Sequence, residues 1–82
     1  MKTKIKTKLK AVREAQGLSQ SQLSKASGVP LRALQYYEQG KLNFDHCKIG
    51  KIFSVALALN CDVEDLLEDY DTIKIIRKYQ EA

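Results

Sequence analysis

The sequence predicts an all-α domain, and three observations support this. Apolar residues recur at three- and four-residue spacings, capping residues precede several of these runs, and glycine or asparagine follows them. The 82 residues suit one small domain. A domain of this size buries roughly 60–65% of its unfolded surface, so we expect neither a second domain nor a deep substrate cavity.

The first helix is predicted to begin near Lys6 or Thr7 and to end at Gln16. Leucine and valine form its apolar stripe, and Gly17 supplies the left-handed residue that stops it. Residues 1–5 precede it as a basic arm, because alternating lysines there leave little apolar surface to bury.

The second helix has the clearest start signal in the chain. Ser19 is a good N-cap, and Gln22 stands three residues later, as in a capping box. The helix is predicted to span Gln20–Ser27 and to end at Gly28. At eight residues it is too short to be stable alone, so tertiary packing must hold it.

The third helix is predicted to follow Pro30, since proline is tolerated in a first helical turn. Leu34 and Tyr37 form its inner stripe. It ends near Glu38, with Gly40 as the stop.

Two further helices are predicted after this point. Asp45 would cap a fourth helix, His46–Leu59, and Asp62 would cap a short fifth helix that buries two leucines. The core stripe predicted for the fourth helix is Ile49, Ile52, Phe53 and Ala56.

The segment after residue 68 is compatible with two kinds of secondary structure. Ile73, Ile76 and Tyr79 suit a helix, whereas the run TIKI suits a strand. This segment is too apolar to be left unpacked in solvent, so we expect it to pack on the domain or on a second copy of the chain.

Charge is distributed unevenly around a net value of +4. Residues 1–16 carry six Lys or Arg against one acid, and residues 61–82 carry three against seven. A basic N-terminal half indicates a polyanionic partner on one side. The acidic residues that we expect to form a solvated face away from that partner are Glu64, Asp65, Glu68, Asp69 and Asp71.

Several protein classes are disfavoured by the composition. The basic N-terminus precedes no apolar signal core, and no apolar run reaches the ~18 residues of a membrane span, so we expect a cytoplasmic protein. Cys47 and Cys61 would lie ~20 Å apart along a helix, too far for a disulfide. They show no zinc spacing, so two buried, reduced thiols are expected, with no metal, cofactor or small-molecule ligand.

The break between the second and third helices has a functional interpretation. Gly28 and Pro30 interrupt two helical runs, which allows a sharp turn between two short helices. This is the pattern of a helix-turn-helix, whose second helix can enter a DNA major groove.

The stretch LKAVREAQGLSQSQLSKASGVPLRALQYYEQGK resembles the Cro/CI-type (XRE-like) helix-turn-helix regulators, and the resemblance covers roughly residues 6–68. It implies a compact lambda-repressor-like DNA-binding domain of five helices, or six, with the motif at 19–38. It also implies a homodimeric repressor that occupies a specific double-stranded DNA operator. The apolar residues of the segment 69–82, which lies beyond the resemblance, make it a candidate dimerisation element. The matching positions are Leu9, Arg13, Gly17, Leu18, Ser19, Gln20, Leu23, Ser24, Gly28, Val29, Pro30, Tyr37, Glu38, Gly40 and Lys41.

The same resemblance implies a set of DNA contacts. Gln20 would bind a phosphate at the start of the second helix, and Lys41 with Asn43 would bind one beyond the third. Arg13 and Glu38 would form a structural ion pair, since no nucleophile accompanies them. The DNA-contacting residues implied are Ser19, Gln20, Leu31, Arg32, Ala33, Gln35, Tyr36, Lys41 and Asn43.

Three alternatives remain open on the sequence. GVPLRALQYYE also resembles the MerR type of DNA-binding domain, although no arginine-rich wing follows it. A protein-binding module, such as an antitoxin or antirepressor, would explain the apolar third helix and the isoleucine-rich end. An enzyme is the weakest alternative, because neither a pocket nor a catalytic constellation is evident.

Overall fold

This computed structural model describes residues 6–81. They form five α-helices, two single 3-10 turns and the segments that connect them. The all-α prediction is confirmed, and the basic arm predicted at residues 1–5 lies outside the described residues. The helices are α1 (Lys8–Ala15), α2 (Gln20–Ser27), α3 (Leu31–Glu38), α4 (Ile49–Leu59) and α5 (Tyr70–Glu81), with 3-10 turns at Phe44–His46 and Val63–Asp65.

The start of α2 is fixed by the capping box that the sequence predicts. Ser19 Oγ accepts the Gln22 backbone N–H at 3.0 Å, and Gln22 Oε1 accepts the Ser19 N–H at 2.8 Å. Two backbone donors that the helix itself cannot satisfy thereby gain partners. The first turn of α2 is therefore held by residues three apart in sequence.

The turn between α2 and α3 depends on Gly28, which has φ of +79°. Its N–H donates to the Ser24 carbonyl at 2.9 Å and closes α2. A side chain is strained in this left-handed conformation, so glycine is favoured. The Ser24 hydroxyl donates to the Val29 carbonyl at 2.6 Å and holds the far side of the same turn.

One apolar core joins all five helices, and α2 packs on both α3 and α4 at its centre. Pro30 then leads directly into α3 with no side-chain cap. The buried apolar residues are Leu9, Leu23, Val29, Leu34, Tyr37, Phe44, Ile52, Val55, Ala56, Leu59, Leu66, Leu67 and Ile73.

The predicted start of the fourth helix is wrong. The helix begins at Ile49 rather than His46, and Asp45 does not cap it. The Asp45 carboxylate instead accepts the backbone N–H of Glu68 at 3.0 Å and of Asp69 at 2.7 Å. A partner more than twenty residues away has replaced the local cap, and this contact fixes the chain just before α5.

Half of the predicted core stripe of α4 is also wrong. Ile52 and Ala56 are buried, but Ile49 is 71% exposed and Phe53 is 54% exposed. The buried face is completed by Val55 and Leu59. Because α4 is apolar around most of its circumference, its sequence period did not show which side meets the core.

The C-terminal segment is a helix, not a strand. Asp69 caps it, with its carboxylate accepting the Asp71 N–H at 3.1 Å and the Thr72 hydroxyl at 2.8 Å. Ile73 is buried and Tyr79 is exposed. The short fifth helix predicted after Asp62 is only a 3-10 turn.

The acidic residues of this end are exposed, as predicted, apart from Glu64, which is half-buried, and two of them also accept hydrogen bonds from other parts of the chain. Glu64 accepts a hydrogen bond from Arg77 at 2.6 Å, and Glu68 accepts the backbone N–H of Lys8 at 2.7 Å. These carboxylates join α5 and the N-terminus of α1 to the segment between α4 and α5.

Cys47 and Cys61 are both reduced, but they are half-buried rather than buried. A hydrogen bond with the Cys47 side chain, together with burial, raises the pKa of Tyr37 to about 12. Burial also raises the pKa of Cys61. Both acids thus hold their protons more tightly in the folded chain than in the unfolded chain.

We therefore expect the free energy of unfolding to fall as pH rises from about 10 to 12. Unfolded tyrosine loses its proton near pH 10, so alkali stabilises the unfolded state first, and the stability is fully present only below that pH. Denaturant titrations across this range test the expectation. A Tyr37→Phe variant should lose stability less steeply, and an equal slope in both proteins would contradict the assignment to Tyr37.

Candidate nucleic-acid interface

The outer face of α3 presents a short mixed surface. Arg32 is exposed and Leu31 is 37% exposed, whereas Ala33, Gln35 and Tyr36 are half-buried. The opposite face carries the residues that hold the helix in the core, which are Leu34, Tyr37 and Glu38. The helical period thus separates a solvent-facing side from a packing side.

An ion pair fixes the C-terminal end of α3 against α1. Arg13 Nε lies 2.7 Å from Glu38 Oε2, and Arg13 Nη2 lies 2.9 Å from Glu38 Oε1. Both residues are buried, at 8% and 7% exposure. The hydrogen bonds to Glu38 raise the pKa of Arg13 above its ordinary value. The pair is bidentate, the strongest arrangement of these two groups.

The same cluster reaches the start of α2. Arg13 Nη1 donates to the Leu18 carbonyl at 2.7 Å, and Gln20 Nε2 donates to Glu38 Oε1 at 2.9 Å. An ionised carboxylate only accepts hydrogen bonds, so Glu38 holds the amide nitrogen of Gln20 towards itself. Three helices are therefore joined through one carboxylate, which sets the position of α3 relative to α2.

The side chains of Ser19 and Gln20 lie beside this cluster. The Gln20 amide nitrogen has a second N–H besides the one donated to Glu38, and Ser19 has a hydroxyl proton besides the lone pair used in the cap. Both groups can donate to an anion. They stand at the N-terminal end of α2, where the helix dipole favours negative charge.

The loop after α3 folds back onto that helix. Gly40 has φ of +79°, and the N–H of Lys41 donates to the Tyr36 carbonyl at 2.9 Å. The Lys41 ammonium lies 5.6 Å from the centre of the Tyr36 ring, within range of a cation–π contact. A cation is thereby placed directly beside the outer face of α3.

Asn43 lies further along the same loop and is exposed. Its Oδ1 accepts the Asp45 N–H at 2.9 Å, which caps the following 3-10 turn. The side-chain oxygen is thus occupied and the amide nitrogen keeps its two N–H donors.

One exposed residue of this face was not predicted. Gln39 follows α3 directly and lies one turn beyond Gln35, at the four-residue spacing that shares a helix face. The four-residue spacing from Gln35 to Gln39 in the sequence indicates this shared face.

Across residues 6–81 no group of three or more His, Cys, Asp or Glu side chains is placed to hold a metal ion. No helix within that range has the length and apolar character needed to cross a membrane. Arg13 and Glu38 are engaged with each other, with the Leu18 carbonyl and with the Gln20 side chain.

A short helix joined by a glycine turn to a second helix with an exposed outer face is the arrangement of a helix-turn-helix domain. The model of the helix-turn-helix family HTH_3 matches residues 9–66. The chain belongs to this family of Cro/CI-type, XRE-like regulators. Neither a search of curated proteins nor a search of solved structures gave a match.

Proposed function

We propose that this protein is a sequence-specific transcriptional regulator that represses by occupying its operator as a homodimer. The observation that carries the proposal is the outer face of α3, with hydrogen-bond donors or cations on both flanks. Gln20 lies on one flank and Lys41 on the other. A helix presented in this way can enter a major groove while its flanks meet the phosphates.

Base recognition would rest on a few side chains of α3. Arg32 is the charged residue of its exposed face and suits the O6 and N7 acceptors of guanine. Leu31 and Ala33 suit the methyl group of thymine, and Gln35 with Tyr36 completes the face. One bidentate contact discriminates against a wrong base by about 1–3 kcal/mol, so Arg32 would be the main determinant.

Phosphate contacts would set the register of α3 on the duplex. We propose that Ser19 and Gln20 meet one phosphate and that Lys41 and Asn43 meet another. Such contacts bind any DNA sequence and weaken as salt rises. Replacing Lys41 should therefore lower affinity for all duplexes, whereas replacing Arg32 should alter sequence preference.

Enrichment of binding sites from random duplex DNA at about 150 mM salt tests this function. We expect an inverted repeat with half-site centres about 34 Å apart. Arg32→Ala should lower the affinity for the enriched site by about 10- to 100-fold, because the guanine contact is lost. Tyr36→Ala should also lose binding to the enriched DNA site.

The matched control is Arg77→Ala, which removes an exposed arginine from α5, outside the proposed interface. It should keep the preference of the unmodified protein. Failure of the folded protein to enrich any sequence would contradict the proposal, as would equal losses in Arg32→Ala and Arg77→Ala.

A second candidate function is supported by the apolar character of the exposed surface. Leu31 on α3 and Leu57 on α4 are both exposed, which also suits a protein-binding module such as an antitoxin or antirepressor. That function predicts DNA binding without sequence preference and a stable complex with another protein. The enrichment experiment separates the two candidates.

A further inference from the structure

The backbone at the end of α3 brings Lys41 back beside Tyr36. The N–H of Gly40 donates to the Tyr37 carbonyl at 3.2 Å, and the N–H of Lys41 donates to the Tyr36 carbonyl at 2.9 Å. With Gly40 at φ of +79°, these two hydrogen bonds form a Schellman motif, a common way to end a helix. The motif fixes the backbone of Lys41 against the turn of α3 that carries Tyr36.

The position of Lys41 in this motif is one where an apolar contact is common. The residue after the left-handed glycine often packs on the helical residue that accepts its N–H. The end of α1 has the same form, with Gly17 followed by Leu18, whose N–H donates to the Arg13 carbonyl at 3.2 Å. At the end of α3 the corresponding contact is made by an ammonium group, 5.6 Å from the centre of the Tyr36 ring.

The contact with the ring leaves the charge of Lys41 available. Within residues 6–81, no carboxylate forms an ion pair with Lys41. The two acids nearest to it in sequence are engaged elsewhere, Glu38 with Arg13 and Asp45 with backbone N–H groups. A carboxylate would neutralise the charge that attracts a phosphate, whereas an aromatic face attracts a cation without neutralising it. The ammonium has three N–H donors, so donors remain for a phosphate oxygen.

We propose that Tyr36 is a positioning residue that holds Lys41 ready to bind a DNA phosphate, besides lining the outer face of α3. The proposal rests on the proposed function and deepens it, because it gives Tyr36 an effect on binding that does not depend on base sequence. A long side chain loses rotamer freedom when it is immobilised by binding. The ring restricts that freedom before DNA arrives, which should strengthen binding about two- to tenfold.

A second lysine–tyrosine contact provides an internal comparison. The Lys74 ammonium lies 5.4 Å from the centre of the Tyr70 ring, and both residues are exposed. This pair lies on α5, outside the proposed interface. It is therefore the same kind of contact without a phosphate to serve.

Nuclear Overhauser contacts in the protein without DNA test the geometry. We expect cross-peaks between the ε-methylene protons of Lys41 and the ring protons of residue 36. They should appear in the unmodified protein and in Tyr36→Phe, which keeps the ring. Their absence from the unmodified protein would overturn the proposal. This measurement does not depend on whether the protein recognises an operator.

Affinity for random-sequence duplex DNA at about 50 mM salt tests the effect on binding, because non-specific binding is strong at low salt and reads no bases. Tyr36→Leu should lower this affinity about two- to tenfold, whereas Tyr36→Phe should retain it. The matched control is Tyr70→Leu, which makes the same change beside Lys74 and should leave the affinity unchanged. If Tyr36→Leu bound the random duplex as tightly as the unmodified protein, Tyr36 would not position Lys41.

A double substitution separates positioning from a general effect on folding. Lys41→Gln removes the charge, and it should lower the affinity and reduce the slope of its salt dependence by about 0.9. In that background Tyr36→Leu should cause no further loss, because the group that it positions is absent. Equal losses from Tyr36→Leu in both backgrounds would show that Tyr36 acts independently of Lys41, and the proposal would be wrong.

Failure of the proposed function gives a different pattern. If random duplexes bind with this coupling but no sequence is enriched, sequence-specific recognition fails and the positioning role stands. A folded protein that binds no duplex at about 50 mM salt would contradict both proposals.

Discussion

Glu38→Ala is expected to lower the free energy of unfolding by about 3–5 kcal/mol, because it leaves the buried guanidinium of Arg13 without its partner. The loss extends beyond one contact, since Gln20 also donates to this carboxylate. A domain of this kind is stable by only about 5–15 kcal/mol, so the substitution should remove a large part of the total. Urea unfolding followed by circular dichroism measures the change.

A surface ion pair provides the control for this prediction. Arg77 pairs with Glu64 at 2.6 Å, but the Arg77 side chain is 57% exposed. Arg77→Ala should lower the free energy of unfolding far less than Glu38→Ala does, because water screens the pair. If Arg77→Ala and Glu38→Ala lowered the free energy of unfolding by similar amounts, burial would not explain the cost of breaking the Arg13–Glu38 pair.

A double substitution separates an uncompensated charge from lost packing. Replacing Arg13 with Met and Glu38 with Leu removes both charges and retains much of the volume. We expect this variant to be more stable than Glu38→Ala, since no buried charge remains unpaired. It would still lack the hydrogen bonds to Leu18 and Gln20, so its affinity for DNA should remain reduced.

Leu34→Ala should destabilise the protein by about 2–5 kcal/mol, the range for removing a large buried aliphatic side chain. Leu34 is fully buried on the inner side of α3, directly behind the face proposed to meet DNA. The cavity would loosen the contact of α3 with the core. Denaturant unfolding measures the cost, and DNA affinity should fall in proportion to the folded fraction at elevated temperature.

The control for this prediction lies on the same helix. Leu31→Ala makes the same change at a residue that is 37% exposed, and it should cost less than about 1 kcal/mol. Leu31→Ala should instead weaken DNA binding in the folded protein. If both variants lost the same stability, the separation of α3 into an inner and an outer face would be wrong.

The motif region could be predicted closely from its residues because its structure is set by near neighbours. The capping box joins Ser19 to Gln22, and Gly28 takes the left-handed conformation that ends α2. The outer face of α3 also follows from the spacing of residues. The helical period places Leu34, Tyr37 and Glu38 on one side of α3 and leaves the opposite side to solvent. The contacts of that face with DNA remain a prediction.

The Arg13–Glu38 pair differs from the motif region, because it joins residues that are far apart in the sequence. Its members are 25 residues apart, and their relation followed from the family resemblance rather than from any local pattern. The added donation from Gln20 was not predicted, although all three residues had been singled out. It depends on how closely α2 and α3 approach, which the spacing of residues does not give.

The sequence by itself determined an all-α fold, the bounds of α2 and α3 and the turn at Gly28. Each of these rests on interactions between residues within about four positions of each other. Only the tertiary structure decided the partner of Asp45, the buried side of α4 and the helical state of residues 70–81. Each of these depends on contacts between residues far apart in the chain. Where α4 offers two apolar sides, only the packing of the other helices selects the one that is buried.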